Sequence, residues 1–122
     1  MAVFLNEDDS QIWSAASYVF DRFMGVLESG LVEFPACVRL ASEARESTTF
    51  AMSKLGKTDQ DAVRSFIEDG FVRGVRDMVE AEFAEDPEFI EHIGERWVKE
   101  ALLLKIVLRE MRWEGRNGRS VL

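Results

Sequence analysis

The only histidine of the chain, His92, is the first candidate for metal binding or proton transfer. Glu88 lies four residues before it and Glu95 three residues after it, so on a helix the three side chains would share one face. A dinuclear carboxylate site in a helical bundle needs several inward-facing glutamates and normally two Glu-x-x-His units. Because this chain has one histidine on a charged face, we interpret the group as solvated surface and predict no metal ligand.

Gly56-Lys57-Thr58 has the residue types that end a phosphate-binding loop. Such a loop also requires a glycine five residues earlier, where this chain has Ala51, and a preceding strand that aims the backbone N–H groups at the phosphates. The segment before Gly56 has a helical pattern. We therefore interpret the tripeptide as a turn between two helices and expect no nucleotide or other cofactor.

Glu43 and Glu46 resemble the paired carboxylates of all-α nucleotide pyrophosphohydrolases. The resemblance implies a second helix with a matching acidic pair, which would hold magnesium beside a pyrophosphate. The third predicted helix offers Glu68, Asp69 and Asp77 without that spacing, so the resemblance is incomplete. A catalytic triad needs a histidine base, and the one histidine has no neighbouring nucleophile. We therefore predict no catalytic residue.

Between Asp77 and Glu95 the chain has eight acidic residues and no lysine or arginine. We name this segment the acidic corner, because it crosses the junction between the third and fourth predicted helices. Like charges this close repel one another, although salt screens the repulsion. Two interpretations stay open: a solvated corner that favours the N-terminus of the fourth helix, or a docking surface for a basic protein. The candidate docking residues are Glu80, Glu82, Glu85, Asp86, Glu88 and Glu91.

The segment from Asp86 to Gly115 predicts one long C-terminal helix, with favourable residues at its N-cap, its first position and its end. One apolar stripe recurs at helical spacing and consists of Ile90, Ile93, Trp97, Ala101, Leu104, Leu108 and Met111. Large apolar residues outside a core often mark an interface, and a second apolar face lies roughly opposite, at Leu102, Ile106 and Trp113. The helix is therefore either central to the core or shared with a partner.

Three shorter helices are predicted before the long one. The first follows an apolar lead-in at Met1–Leu5 and begins within Asn6–Ser10. The second begins at Pro35 and weakens or breaks near Ser47–Thr49, and the third begins at Thr58. No run has the period of a strand. We therefore predict an all-α, four-helix bundle-like single domain over residues 1–115, followed by a flexible C-terminal tail over residues 116–122.

Two glycines, Gly70 and Gly74, lie four residues apart on the buried stripe of the third predicted helix. Each costs about 1 kcal/mol relative to alanine in a helix interior, so a packing reason is expected. We interpret them as the place where another helix approaches closely. A ligand lying against the bare backbone is the alternative.

Composition limits the class of protein. The chain has 122 residues, is 47% hydrophobic and has a net charge of −8, which is typical of one globular domain. Residues 1–95 contain 8 Lys/Arg and 20 Asp/Glu, whereas residues 96–122 contain 7 and 3. An acidic surface repels phosphate backbones, so no direct nucleic-acid binding is expected. The single Cys37 cannot form an internal disulfide, and no secretory signal or membrane-spanning run is apparent. We expect a cytoplasmic protein that contacts no membrane.

These features favour a non-enzymatic, small acidic helical protein that binds another protein and modulates or inhibits it. A basic or nucleic-acid-binding partner fits the charge, as for inhibitors, immunity proteins and anti-defence proteins, which are similar in type only. The first alternative is a metal- or nucleotide-dependent enzyme or ligand binder that uses Glu43, Glu46, Glu68 and Asp69. The second is a homodimeric scaffold or assembly chaperone.

Overall fold

The N-terminal part of the chain contributes a three-stranded mixed sheet. The computed structural model describes the backbone of residues 1–121 and the side chains of residues 1–110. The strand order is β2-β1-β3; β1 pairs with β2 in antiparallel and with β3 in parallel orientation. Two helices separate β2 from β3 along the chain. In order, these elements are β1 (Ala2–Leu5), β2 (Gln11–Ala15), α1 (Ser17–Gly30), α2 (Pro35–Ser47) and β3 (Thr49–Ala51).

Two long helical segments, each interrupted by a π-helical stretch, follow a 3-10 turn at Met52–Lys54. The first runs through α3 (Lys57–Phe66), the π segment Ile67–Phe71 and α4 (Val72–Glu82). The second runs through α5 (Pro87–Phe89), the π segment Ile90–Gly94 and α6 (Glu95–Val121). Single π-helical turns inside α-helices occur frequently at functional sites. No helix among the described residues is long and apolar enough to cross a membrane.

The predicted all-α fold is wrong, because the first fifteen residues form strands. Ala2 and Phe4 are buried and Val3 and Leu5 are half-buried, which is the alternation of a strand over a core. The predicted helix start within Asn6–Ser10 is instead the turn between β1 and β2. The strands are only three to five residues long, and over so few residues the strand period and the helical period cannot be told apart.

The predicted break in the second helix is confirmed. α2 ends at Ser47, and Thr48 adopts the left-handed conformation with φ of 61°. Its amide N–H donates to the Ala44 carbonyl at 2.8 Å, which closes the helix, while its own carbonyl accepts the Val3 amide at 2.9 Å. The chain therefore passes directly from a helix end into the pairing of β3 with β1.

α1, and not the long C-terminal helix, lies at the centre of the molecule. It packs against β1, α2, α3, α4 and the first π segment. Its buried Phe23 stacks on Trp13 of β2 with ring centroids 5.5 Å apart and meets the edge of Phe71 at 5.3 Å. These aromatic contacts join the sheet, through α1, to the first of the two long helical segments.

α6 packs one face on β2, α4 and the first π segment. The predicted stripe is confirmed at Trp97, Ala101, Leu104 and Leu108, which are all buried, whereas Ile93 is 41% exposed. The N-cap at Asp86 is also confirmed, because its carboxylate accepts the Phe89 amide at 3.1 Å. The helical backbone continues through the predicted end at Gly115, and the side chains of Met111 and Trp113 lie outside the described residues. The flexibility of the tail over 116–122 stays a prediction.

Candidate functional site

The acidic corner divides into structural and free carboxylates. Glu82 forms an ion pair with Arg22 of α1 at 2.8 Å, and Asp86 caps α5. Glu80, Glu85, Glu88 and Glu91 are exposed and form no ion pair within the part of the chain that the structure describes. Four of the six predicted docking carboxylates are therefore exposed and unpaired with respect to the described side chains.

An aromatic cluster supports the acidic corner from below. Phe83 stacks on Phe89 with ring centroids 4.0 Å apart, and both rings meet Trp97 edge-on at 5.7 and 5.6 Å. Offset and edge-on pairs of this kind add about 0.5–1.5 kcal/mol each beyond the burial of area. The cluster ties the turn after α4 to the beginning of α6.

The second apolar face of the long helix lies on the outside of the molecule. Leu102, Leu103 and Ile106 are 43%, 47% and 40% exposed, whereas Leu104 and Leu108 on the opposite side are buried. The N-terminal segment does not cover this face, because it forms the sheet on the buried side. We name Leu102, Leu103 and Ile106 the outer α6 face.

The second half of the acidic corner, with Glu88 and Glu91, lies on the same helical segment as the outer α6 face. Eighteen residues separate Glu88 from Ile106, or roughly 27 Å at about 1.5 Å per residue. Together they form a surface that is acidic at one end and apolar at the other. Trp113, the third predicted apolar residue of this face, lies outside the residues whose side chains are described.

The candidates for metal chemistry are dispersed. His92, Glu43 and Glu46 are exposed, and Glu68 binds Arg109 of α6. No group of three or more histidine, cysteine, aspartate or glutamate side chains has metal-binding geometry within the described residues.

A strand does precede Gly56, contrary to the helical pattern that the sequence suggested. The loop after β3 is nevertheless occupied by its own contacts. The Gln60 side-chain amide donates to the Met52 carbonyl at 3.0 Å and to the Leu55 carbonyl at 2.9 Å. The 3-10 turn at Met52–Lys54 is thereby held against the first turn of α3, so this loop does not have the open form that cradles a phosphate.

Cys37 is buried in α2, and its thiol donates to the Asp59 carbonyl oxygen at 3.5 Å. Burial, and to a smaller extent the nearby Asp59 carboxylate, raise the pKa of the thiol to about 11. Because the thiolate is the reactive form of cysteine, Cys37 is not an effective nucleophile near neutral pH.

A cleft of about 440 Å³ lies between α1 and the α3–α4 segment, beside the first π segment. Its lining combines apolar side chains, three arginines and four glycines. The sequence analysis identified two residues of this lining, Gly70 and Gly74, but missed the arginines Arg22, Arg45 and Arg73. Gly25 and Gly30 of α1 are the sequence signal that could have indicated that this helix also borders the cleft.

Comparison of the chain with protein-family models, with curated proteins and with solved structures gave no significant match.

Proposed function

We propose that this chain is a non-enzymatic protein that binds another protein and modulates or inhibits it, and that its docking surface is the outer α6 face together with the acidic corner. The observation that carries the proposal is the exposure of Leu102, Leu103 and Ile106 on the side of α6 opposite its buried stripe. Three adjoining large apolar side chains in water are typical of an interaction surface.

The outer α6 face would supply affinity. Burying a Leu or Ile side chain completely contributes about 1.5–3 kcal/mol, and these three are already a little more than half buried. Covering the remainder would contribute on the order of 1 kcal/mol per residue by the same area argument. A patch of this kind is a sufficient anchor for a partner but too small to act without polar contacts around it.

The acidic corner would determine the specificity for the partner. Glu80, Glu85, Glu88 and Glu91 have no compensating cation among the described residues, so they favour a basic protein and accelerate its approach. Such a partner can be one that normally holds nucleic acid, while the acidic chain itself would not bind nucleic acid. We place this activity in the cytoplasm, where one unpaired cysteine is stable.

A second copy of this chain is the other candidate partner, and the charge distribution favours it. Residues 1–95 contain 20 acidic and 8 basic residues, whereas residues 96–122 contain 3 and 7. In an antiparallel pair of long helices, the acidic beginning of each would oppose the basic end of the other, with Leu102 and Ile106 in the middle. Closed two-fold dimers use self-complementary surfaces of this kind. The result would be a homodimeric scaffold or assembly chaperone.

The test is Ile106→Glu, with Val32→Glu as the matched control. Val32 is 69% exposed at the α1–α2 turn, far from α6 in sequence, so the control introduces the same charge at another exposed apolar position. Affinity capture from native lysate, light scattering and thermal melting are measured for both variants and the wild type.

We expect Ile106→Glu to remain folded and to lose a protein that the wild type and the control both capture. If the wild type is a dimer and Ile106→Glu is a folded monomer, the partner is a second copy. A monomeric wild type that captures the same proteins as Ile106→Glu contradicts the proposal. Unfolding of Ile106→Glu alone would show that the outer α6 face belongs to the core.

A further inference from the structure

The cleft between α1 and α4 contains the largest concentration of arginine side chains in one lining among the described pockets of this acidic protein. Arg22 and Arg45 reach it from α1 and α2, and Arg73 reaches it from α4. Asp77 and Glu82 also line it. The volume of about 440 Å³ falls within the range of small-molecule sites, which is roughly 300–1,000 Å³.

Carboxylates hold two of these guanidinium groups in place. Arg22 binds Glu82 at 2.8 Å through Nη2 and lies 3.7 Å from Asp21 through Nη1, with its guanidinium carbon 4.9 Å from the centre of the Tyr18 ring. Arg45 uses Nε for Asp21 at 3.1 Å and Nη1 for Glu28 at 3.3 Å. Groups fixed in this way lose little conformational freedom when they bind a ligand.

Each of these arginines retains a donor that the rest of the described chain does not use. The Nε of Arg22 is buried and has no hydrogen-bond partner within the described residues. Arg45 places Nη2 over α1, 3.2 Å from the point where a Cβ of Gly25 would lie, and no acceptor for it occurs among the described side chains. Because the Arg45 side chain is exposed, its Nη2 is open to an acceptor from outside the chain, whereas the Arg22 Nε is shielded from solvent and only the edge of that guanidinium lines the cleft.

The floor of the cleft is apolar and its walls are thin. Val26, Phe66 and Met78 supply the apolar surface, and the absence of side chains at Gly70 and Gly74 lets Phe66 and Val26 lie close to the helix backbone. Arg73 is exposed on the same side and forms no ion pair with any described residue. The cleft can therefore accommodate an apolar group on its floor and a negatively charged headgroup close to its three arginines.

We propose that the cleft between α1 and α4 binds a small organic anion, whose apolar body lies on Val26, Phe66 and Met78 and whose negatively charged headgroup contacts Arg22, Arg45 and Arg73. Asp77, Glu82 and the paired Asp21 and Glu28 place four carboxylates around three arginines, which disfavours a dianion without an apolar body. This site is separate from the outer α6 face and stands independently of the proposed protein-binding function.

The probe is 8-anilinonaphthalene-1-sulfonate, a fluorescent apolar anion, titrated into the purified protein. The test variant is Arg73→Glu, and the matched control is Arg76→Glu, which reverses an exposed arginine on the same helix outside the cleft lining. We expect one dye per chain, roughly tenfold weaker binding in Arg73→Glu because a charge-assisted contact is lost, and binding within about twofold of wild type in the control. Equal effects of the two reversals overturn the proposal.

Three further experiments distinguish the cleft from other apolar surfaces. N-phenyl-1-naphthylamine lacks the sulfonate, and we expect it to bind at least about tenfold more weakly; equal affinity overturns the anion site. Ile106→Glu should leave dye binding unchanged. If this variant loses the dye while Arg73→Glu retains it, the dye binds at α6 and the proposal is overturned.

Ser29→Phe introduces bulk at an exposed position of the cleft lining. It should block the dye while its circular dichroism spectrum stays that of the wild type; unimpaired binding in this variant also overturns the proposal.

Discussion

Cys37 shows how one buried side chain acquires properties that its sequence position does not reveal. It is fully buried beside the Asp59 carbonyl, and burial followed by the Asp59 charge raises the pKa of its thiol from 9.0 to about 11. The folded protein therefore holds the thiol proton more tightly than the unfolded chain does. This contribution to stability is present below pH 9 and is lost as the pH rises towards 11.

We predict that the urea midpoint of the wild type falls more steeply between pH 9 and 11 than that of Cys37→Ala. The variant lacks the titrating group but shares every other titration, so the difference isolates the thiol. Ellman's reagent at pH 8 gives a second measurement: the folded thiol should react at least about a hundredfold more slowly than the thiol in denaturant, because two pKa units reduce the thiolate fraction by that factor. Parallel pH profiles or equal rates would contradict the raised pKa.

At the scale of elements, glycine decides how closely the helices pack. A Cβ at Gly74 would lie 2.7 Å from Cγ1 of Val26, where α4 crosses α1, and one at Gly94 would lie 2.6 Å from Cγ1 of Val79, where α6 crosses α4. Neither neighbour is the end of a flexible side chain. The close packing that the sequence suggested for Gly74 is therefore present, and a second close contact occurs at the π segment before α6.

Gly74→Ala should lower the free energy of unfolding by about 1–2 kcal/mol, because the cost of up to about 3 kcal/mol for moving Val26 or the α4 backbone is reduced by a gain of about 1 kcal/mol in helix propensity. The control is Arg76→Ala at an exposed position of the same helix, where the side chain forms no ion pair with any described residue, and it should change stability by no more than about 0.5 kcal/mol. Urea unfolding of both variants provides the comparison. A Gly74→Ala variant as stable as the control would show that α1 and α4 are not in close contact.

At the scale of the whole molecule, the acidic corner and the outer α6 face form one surface of graded polarity. The structure refines which charges can be changed without disturbing the fold. Glu82 is tied to Arg22 and Asp86 caps α5, so reversing either would also remove a structural contact. Glu85, Glu88 and Glu91 are exposed and form no ion pair within the described residues.

The triple variant Glu85→Lys, Glu88→Lys, Glu91→Lys should slow association with the captured partner by roughly tenfold or more at low salt and reduce the salt dependence of that rate. The control is a triple reversal of Glu33, Glu43 and Glu46, which are exposed on and before α2 and change the net charge by the same amount. Surface plasmon resonance across low and moderate salt measures both. Equal association rates for the two variants would mean that the acidic corner is only solvated surface.

The sequence by itself determined the features that depend on neighbours along the chain. The N-cap at Asp86, the end of α2 near Ser47 and the buried stripe from Trp97 to Leu108 all follow from capping and from helical spacing over many residues. The exposure of Leu102 and Ile106 opposite that stripe follows from the same periodicity. Such signals are local, so no knowledge of the rest of the fold is required to interpret them.

Only the tertiary structure decided the features that depend on distant partners. β1 is stabilised by pairing with β3, where Val3 lies beside Thr49, and a four-residue strand has too little periodicity of its own to predict that pairing. The same reason applies to the cleft: Arg22, Arg45 and Arg73 come from three different helices, and each guanidinium is directed by packing rather than by its sequence neighbours. The position of α1 at the centre likewise arises from which helices close around it, because its own sequence pattern describes one apolar face and not the elements that cover it.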